Sequence, residues 1–211
     1  MKKSERVKRI VRTLKALYPN VETPLLHKTP FQLLVSTILS AQCTDRQVNS
    51  VTPALFKKFS SPEELSKAKP NEIERIIYST GFYKNKARHL KRCSRALLEK
   101  HDGNVPDTLH DLVKLPGVGR KTANVVLGAS FGIPAMVVDT HVARISKRLE
   151  LTIHTDPVKI ESDLEKVIPE KEWNDFSLRL IFFGRAVCTA RKPGCPECPL
   201  NDICRQVTPG Y

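Results

Sequence analysis

Helix punctuation constrains this chain more than any other feature. Thr29-Pro30-Phe31-Gln32 offers an N-cap, a proline at the first helical position and a glutamine three residues after the cap. Ser61-Pro62-Glu63-Glu64 repeats that grammar, and Asp156-Pro157 begins it again. In the first segment Val7, Ile10, Val11, Leu14 and Leu17 share one face, with Lys8, Arg9, Arg12 and Lys15 on the remainder. The same periodicity predicts helices near 31–40, 45–58, 62–68, 71–79, 84–100, 107–114, 119–130, 140–149, 157–167 and 171–187. Strand alternation is almost absent, and Val137-Val138 is too short a run to build a sheet. The reading is an all-α protein with short connections, its weakly marked boundaries at Pro19-Asn20 and Gly132-Ile133-Pro134.

A hydrophobic content of 40% in 211 residues supports one or two small domains with their own cores and excludes a disordered tail. Thirty-five basic against 22 acidic residues, a formal charge of +13, favour a polyanionic partner over an acidic small molecule. The basic N-terminus has no apolar stretch behind it, so neither a secretory signal nor a membrane span is readable, and a cytoplasmic protein is expected. In a reducing compartment clustered cysteines point to metal or cluster ligation. Cys188, Cys195, Cys198 and Cys204 follow a C-x6-C-x2-C-x5-C spacing that suits zinc and iron–sulfur chemistry equally. Cys43 and Cys93 each stand alone and read as core. Arg191 and Lys192, between the first two clustered cysteines, read either as phosphate contacts on a stiff bulge or as an ordinary solvated loop.

The chemistry-bearing stretch runs from Leu115 to Arg144. Leu115-Pro116-Gly117-Val118-Gly119 is a tight turn ahead of a helical run, and its outward backbone N–H groups suit a phosphate. Lys121 lies in the first turn of that helix, and Asp139 stands where the next one begins. An amine and a carboxylate near a phosphate-gripping turn suggest chemistry on nucleic acid; the bland alternatives are a solvated lysine and a helix N-cap. From Lys84 to Arg95 six cations occur without an acid, a solvated basic face or the flank of a DNA groove.

The glycine turn, Lys121, Val138-Asp139-Thr140-His141 and the four terminal cysteines, together with Leu39-Ser40-Ala41-Gln42 and Lys84-Asn85-Lys86-Ala87, resemble the endonuclease III family of the helix-hairpin-helix superfamily. The resemblance covers nearly the whole chain. It implies a monomeric DNA glycosylase and abasic-site lyase that removes oxidised pyrimidines from duplex DNA, with no membrane partner. It further implies a six-helix barrel over residues 21–132 and a discontinuous cluster domain, 1–20 with 133–211, holding one [4Fe–4S] cluster on the four cysteines. By the same resemblance Lys121 is the nucleophile and Asp139 the assisting carboxylate, with 115–119 as the DNA-binding hairpin and a monovalent cation at its carbonyls. Gln42 fills the gap left by the everted nucleotide and Phe82 occupies the position of the opposing wedge, where many relatives carry leucine. Ser40, Asp45 and His141 are candidates for the base pocket.

Rival readings fit these residues less well. A mismatch adenine glycosylase of the same superfamily usually lacks the lysine and carries glutamate where Thr37 stands here. A non-catalytic hairpin module would have no use for Lys121 with Asp139.

Overall fold

A computed structural model describes residues 2–204, and every regular element among them is helical. The outermost residues of the expected cluster domain, 1 and 205–211, lie outside the described residues. The α-helices are α1 (Lys3–Leu17), α2 (Pro30–Leu39), α3 (Asp45–Lys58), α4 (Pro62–Lys67), α5 (Pro70–Ile77), α6 (Tyr83–His101), α7 (Leu109–Leu112), α8 (Arg120–Phe131), α9 (Thr140–Arg148), α10 (Pro157–Glu165) and α11 (Trp173–Ala186). Three 3₁₀ turns, Tyr78–Thr80, Glu170–Glu172 and Asn201–Ile203, complete the set. No helix among the described residues is long and apolar enough to cross a membrane.

The punctuation works largely as written. Thr29, Ser61 and Asp156 each accept the N–H three residues on, at 3.2, 3.3 and 2.9 Å. The glutamine and glutamate of the first two boxes reach one residue further back than the usual pattern: Gln32 accepts from the Lys28 N–H and Glu64 from the Ser60 N–H. The helix expected over 107–114 closes after one turn, because Lys114 N–H and Leu115 N–H already bond three residues back as the chain bends into Pro116.

The chain divides into two units, residues 23–133 and residues 1–22 with 134–211. In the first, α2 is buried almost all round, with Phe31, Leu33, Leu34, Val35, Ile38 and Leu39 inside, and packs on α3, α6 and α8. Cys93 lies in this core, where burial pushes its thiol up to about 12. Cys43 departs from the expectation of a helical core position. It lies half-buried in the loop between α2 and α3, because α2 has already ended at Leu39.

The second unit is built from α1, α9, α10 and α11 around Ile10, Leu14, Val142, Ile145, Phe176, Leu180 and Phe183. Its extended segment 134–139 makes no sheet. Ala135 to Val138 are buried, and α11 side chains answer two of their amides: Asn174 Oδ1 accepts from Ala135 N–H at 2.8 Å and Ser177 Oγ from Val137 N–H at 2.9 Å. Arg179, 1% exposed, closes the other end of the core. It donates to Glu172 at 2.9 Å, to Asp175 at 2.7 Å and to the carbonyl of Tyr18 at 3.0 Å, tying α11 to the end of α1. Burial raises the Glu172 carboxyl, but hydrogen bonds from Lys15 and Arg179 outweigh it and hold the group below its ordinary value. Replacing Arg179 by Met removes this donor from two carboxylates, Glu172 and Asp175, and from the carbonyls of Tyr18 and Pro19; unfolding in urea should show a loss of about 3–5 kcal/mol.

Candidate functional site

In the unit of residues 23–133 the glycine turn is anchored from both sides. Leu115 and Val118 are buried, and Val118 N–H donates to Leu115 O at 3.1 Å. Thr108 caps α7 through Asp111 N–H, and its hydroxyl, ahead of Lys114 and His110, holds the Asp111 carboxyl down at about 2. Gly117 has φ +83°, and a Cβ placed there would lie 2.8 Å from His89 Cβ on α6. The position therefore excludes a side chain on both conformational and packing grounds. Gly119 differs. It is the extended N-cap of α8, φ −93°, and a Cβ there would meet nothing within 4 Å. Its bareness keeps open the approach to the start of α8, where Arg120 and Lys121 are exposed.

Gln42 and Phe82 share an unusual backbone state. Both are exposed and left-handed, with φ +51° and +48°, a conformation that bulky residues occupy at a cost and that clusters at functional sites. Gln47 Nε2, in the first turn of α3, donates to Ser79 Oγ of the Tyr78–Thr80 turn at 2.7 Å, so the element after Gln42 is bonded to the one before Phe82. Lys86, expected among the solvent-facing cations, is instead buried. Its ammonium donates to Thr80 O at 2.8 Å, and burial pushes it below the ordinary lysine value while nearby Cys43 acts the other way. The other cations of the run do share one stripe: Lys84, Arg88, Lys91, Arg92 and Arg95 line a groove on α6. A second groove, shared through Arg92 and Arg95, continues past Lys100 and Lys114 to Pro116 of the hairpin. Ser40 ends α2 with its hydroxyl on Thr37 O, and half-buried Asp45 opens α3. Thr37 is buried and spends its hydroxyl on Leu33 O.

In the other unit Asp139 is the N-cap of α9. One oxygen, Oδ1, accepts from both His141 N–H and Val142 N–H at 2.8 Å, while no bond to Oδ2 occurs among the described residues. The cap thus fixes the carboxylate and leaves its second oxygen for other work. His141 faces α11: a Cβ on Gly184 would lie 2.7 Å from its Nδ1, which also stands 3.3 Å from Arg144. Sequence reasoning passed over Arg144 and Arg148, one turn apart on α9. Arg144 donates to the carbonyls of Gly184 and Cys188, and Arg148 to those of Thr189 and Ala190. The available signal was their four-residue spacing behind Asp139.

The four clustered cysteines line one cavity of about 50 Å³ whose walls include Ile145, Leu149, Phe183, Val187 and Leu200. Among the described residues no three histidine, cysteine or acidic groups stand close enough to share a single metal ion. Thiols distributed around an apolar cavity suit a group with several metal atoms, each taking its own sulfur. Burial pushes the Cys198 thiol up, with a backbone hydrogen bond from Leu200 acting the other way and the neighbouring cysteines adding to the rise. The intervening loop is braced by Thr189 Oγ1 on Lys192 O at 2.6 Å and by Gly194 N–H on Val187 O at 3.0 Å, with Arg191 and Lys192 exposed at its tip.

The fold is that of an all-helical protein whose hairpin suits a nucleic-acid backbone and whose cysteine cavity suits a metal cluster. Comparison with known proteins agrees. Residues 35–170 match the family described as HhH-GPD superfamily base excision DNA repair protein, and residues 188–204 the iron–sulfur binding domain of endonuclease III. The chain is 53% identical to the endonuclease III of Synechocystis sp. over 96% of its length and 93% of that relative. With the Bacillus subtilis endonuclease III it shares 47% over 90% and 87%. A solved trapped endonuclease III–DNA covalent intermediate superposes with TM-score 0.93 at 43% identity, covering 98% of this chain and 97% of that one. A thermostable thymine-DNA glycosylase follows with 0.83 at 26%, covering 94% and 93%. The chain belongs to the HhH-GPD superfamily of base excision DNA repair proteins and, within it, to the endonuclease III family. It is a DNA glycosylase and abasic-site lyase with an iron–sulfur cluster.

The two hairpin glycines should separate in a stability measurement. Gly117→Ala should cost about 1–3 kcal/mol or more through its left-handed backbone and the His89 contact. Gly119→Ala should leave the urea midpoint within about 0.5 kcal/mol of the parent.

Proposed function

We propose that Lys121 is the nucleophile of this enzyme and Asp139 its proton-handling carboxylate, acting on oxidised pyrimidines and abasic sites in duplex DNA. The observation that carries the reading is the exposed lysine in the first turn of α8, directly behind a hairpin whose Gly119 leaves its approach bare. The trapped covalent DNA intermediate of a structural neighbour fits the same chemistry.

A neutral lysine amine attacks C1′ of the deoxyribose and the damaged base leaves with the bonding electrons. Ring opening turns the adduct into a protonated Schiff base. That cation acidifies the C2′–H, whose removal expels the 3′ phosphate and cuts the strand. Asp139 steadies positive charge on the sugar and moves protons through the oxygen its cap leaves unbonded. Support for a shared role also comes from the family match, which spans both residues.

A base must leave the stack before its sugar can be reached. Gln42 fills the vacated space and Phe82 wedges the opposing strand, a pairing supported by their exposure, their shared left-handed backbone and the bond between the elements beside them. Ser40 and Asp45, and in the other unit His141, are the side chains offered to the everted base. The hairpin 115–119 grips a phosphate through its backbone, with a monovalent cation at its carbonyls, and Arg191 and Lys192 contact a further phosphate. The α6 stripe extends the phosphate track from the hairpin. Cys188, Cys195, Cys198 and Cys204 would hold a cluster of the [4Fe–4S] type, which would brace the loop that carries Arg191 and Lys192. When bound it supplies structural cross-linking of 188–204; no step of the base-removal chemistry runs through it. The enzyme acts as a monomer and works on the DNA of the cytoplasm.

Borohydride trapping on a duplex bearing thymine glycol or an abasic site tests the nucleophile. The parent should form a covalent adduct and Lys121→Ala none, whereas equal adducts would remove Lys121 from its role. The phosphate track is tested by salt. Each of Arg92→Gln and Arg95→Gln should reduce the slope of log affinity against log salt by about 1 without altering base preference.

A further inference from the structure

We propose that Arg148 is a positioning residue for the iron–sulfur cluster, setting its reduction potential through a charged hydrogen bond to the Cys188 sulfur. The proposal rests on the cluster occupying the four-cysteine cavity. Arg148 Nη1 lies 3.1 Å from Cys188 Sγ and 2.9 Å from Thr189 O, and Nη2 lies 3.2 Å from Ala190 O. The carbonyl of the same residue stands 3.5 Å from Cys204 Sγ, so Arg148 touches both the first and the last cysteine of the set. Among the described residues lining the cavity it is the single charged side chain, facing walls that are otherwise mostly apolar.

That placement has an electrostatic consequence. A cluster held by thiolates carries negative charge, and its reduced state carries one charge more than its oxidised state. An N–H donor from a guanidinium, in an apolar wall with little water to screen it, stabilises the more negative state by more. Arg148 therefore raises the potential and protects the cluster from oxidation. The three acceptors explain why arginine stands here. The planar fork reaches Cys188 Sγ, Thr189 O and Ala190 O at once, which a lysine ammonium at the end of a flexible stem does not. Nothing in the glycosylase chemistry requires this residue, so its role is separable from that of Lys121.

Voltammetry on the parent, Arg148→Lys and Arg148→Gln, with iron and acid-labile sulfide measured on each, provides the test. With clusters fully loaded, the potential should fall from parent to Lys to Gln, and bleaching by ferricyanide, a one-electron acceptor, should quicken in the same order. Arg191→Gln, on the same loop but exposed, should keep the parent potential. A loaded Arg148→Gln protein at the parent potential overturns the proposal and leaves Arg148 as a loop brace. If the Gln variant does not load, the Lys variant decides, and a loaded Lys variant at the parent potential overturns it equally. Failure of both variants to load assigns Arg148 to cluster assembly and ends the tuning role. A parent lacking iron and sulfide would instead refute the cluster reading on which the proposal stands.

Discussion

The first turn of an α-helix leaves four N–H groups without intrahelical partners, and the positive end of the helix dipole lies there. Much of this protein is organised around that deficit. Gln42 stands two residues before the cap of α3, Phe82 is the N-cap of α6, Gly119 is the N-cap of α8 with Lys121 in its first turn, and Asp139 is the N-cap of α9. At α9 the deficit is met by a carboxylate that spends one oxygen on two amides. At α8 the cap residue itself contributes no side chain, since it is a glycine. A fold made of short helices has many such ends, and a protein that handles a polyanion has reason to leave some of them facing outward.

The irregular segments are held by side chains that answer backbone groups. Asn174 and Ser177 serve the extended run before Asp139, Arg179 the end of α1, and Arg144 with Arg148 the loop that follows α11. Each donor or acceptor comes from a helix already fixed by its apolar face. The helices thus act as rigid mounts and their polar stripes as the clamps for chain that has no regular structure of its own. The same logic places Lys86, whose buried ammonium holds the carbonyl just ahead of the Phe82 loop.

Legibility followed the range of the interactions. Caps such as Thr29, Ser61 and Asp156 act over three residues and could be read directly, as could the helical period of α1 and α6. The family was legible because the hairpin, Lys121, Asp139 and the cysteines recur in one order. Lys86 was misread as surface because a run of cations gives no hint of which one turns inward. Arg148 was missed because its partner lies 40 positions away. The left-handed state of Phe82 was equally hidden, since nothing about an aromatic residue announces a backbone it normally avoids.

The amino-acid order alone determined that the chain is helical, basic and able to ligate metal, because periodicity, net charge and cysteine spacing are local or additive properties. Only the tertiary structure decided which lysine of the basic run turns inward, which cations form a stripe and which charged group stands over the cysteine sulfurs. Those depend on how helices distant in sequence present their faces within each unit, and such packing is settled by the burial of whole surfaces rather than by any short stretch of residues.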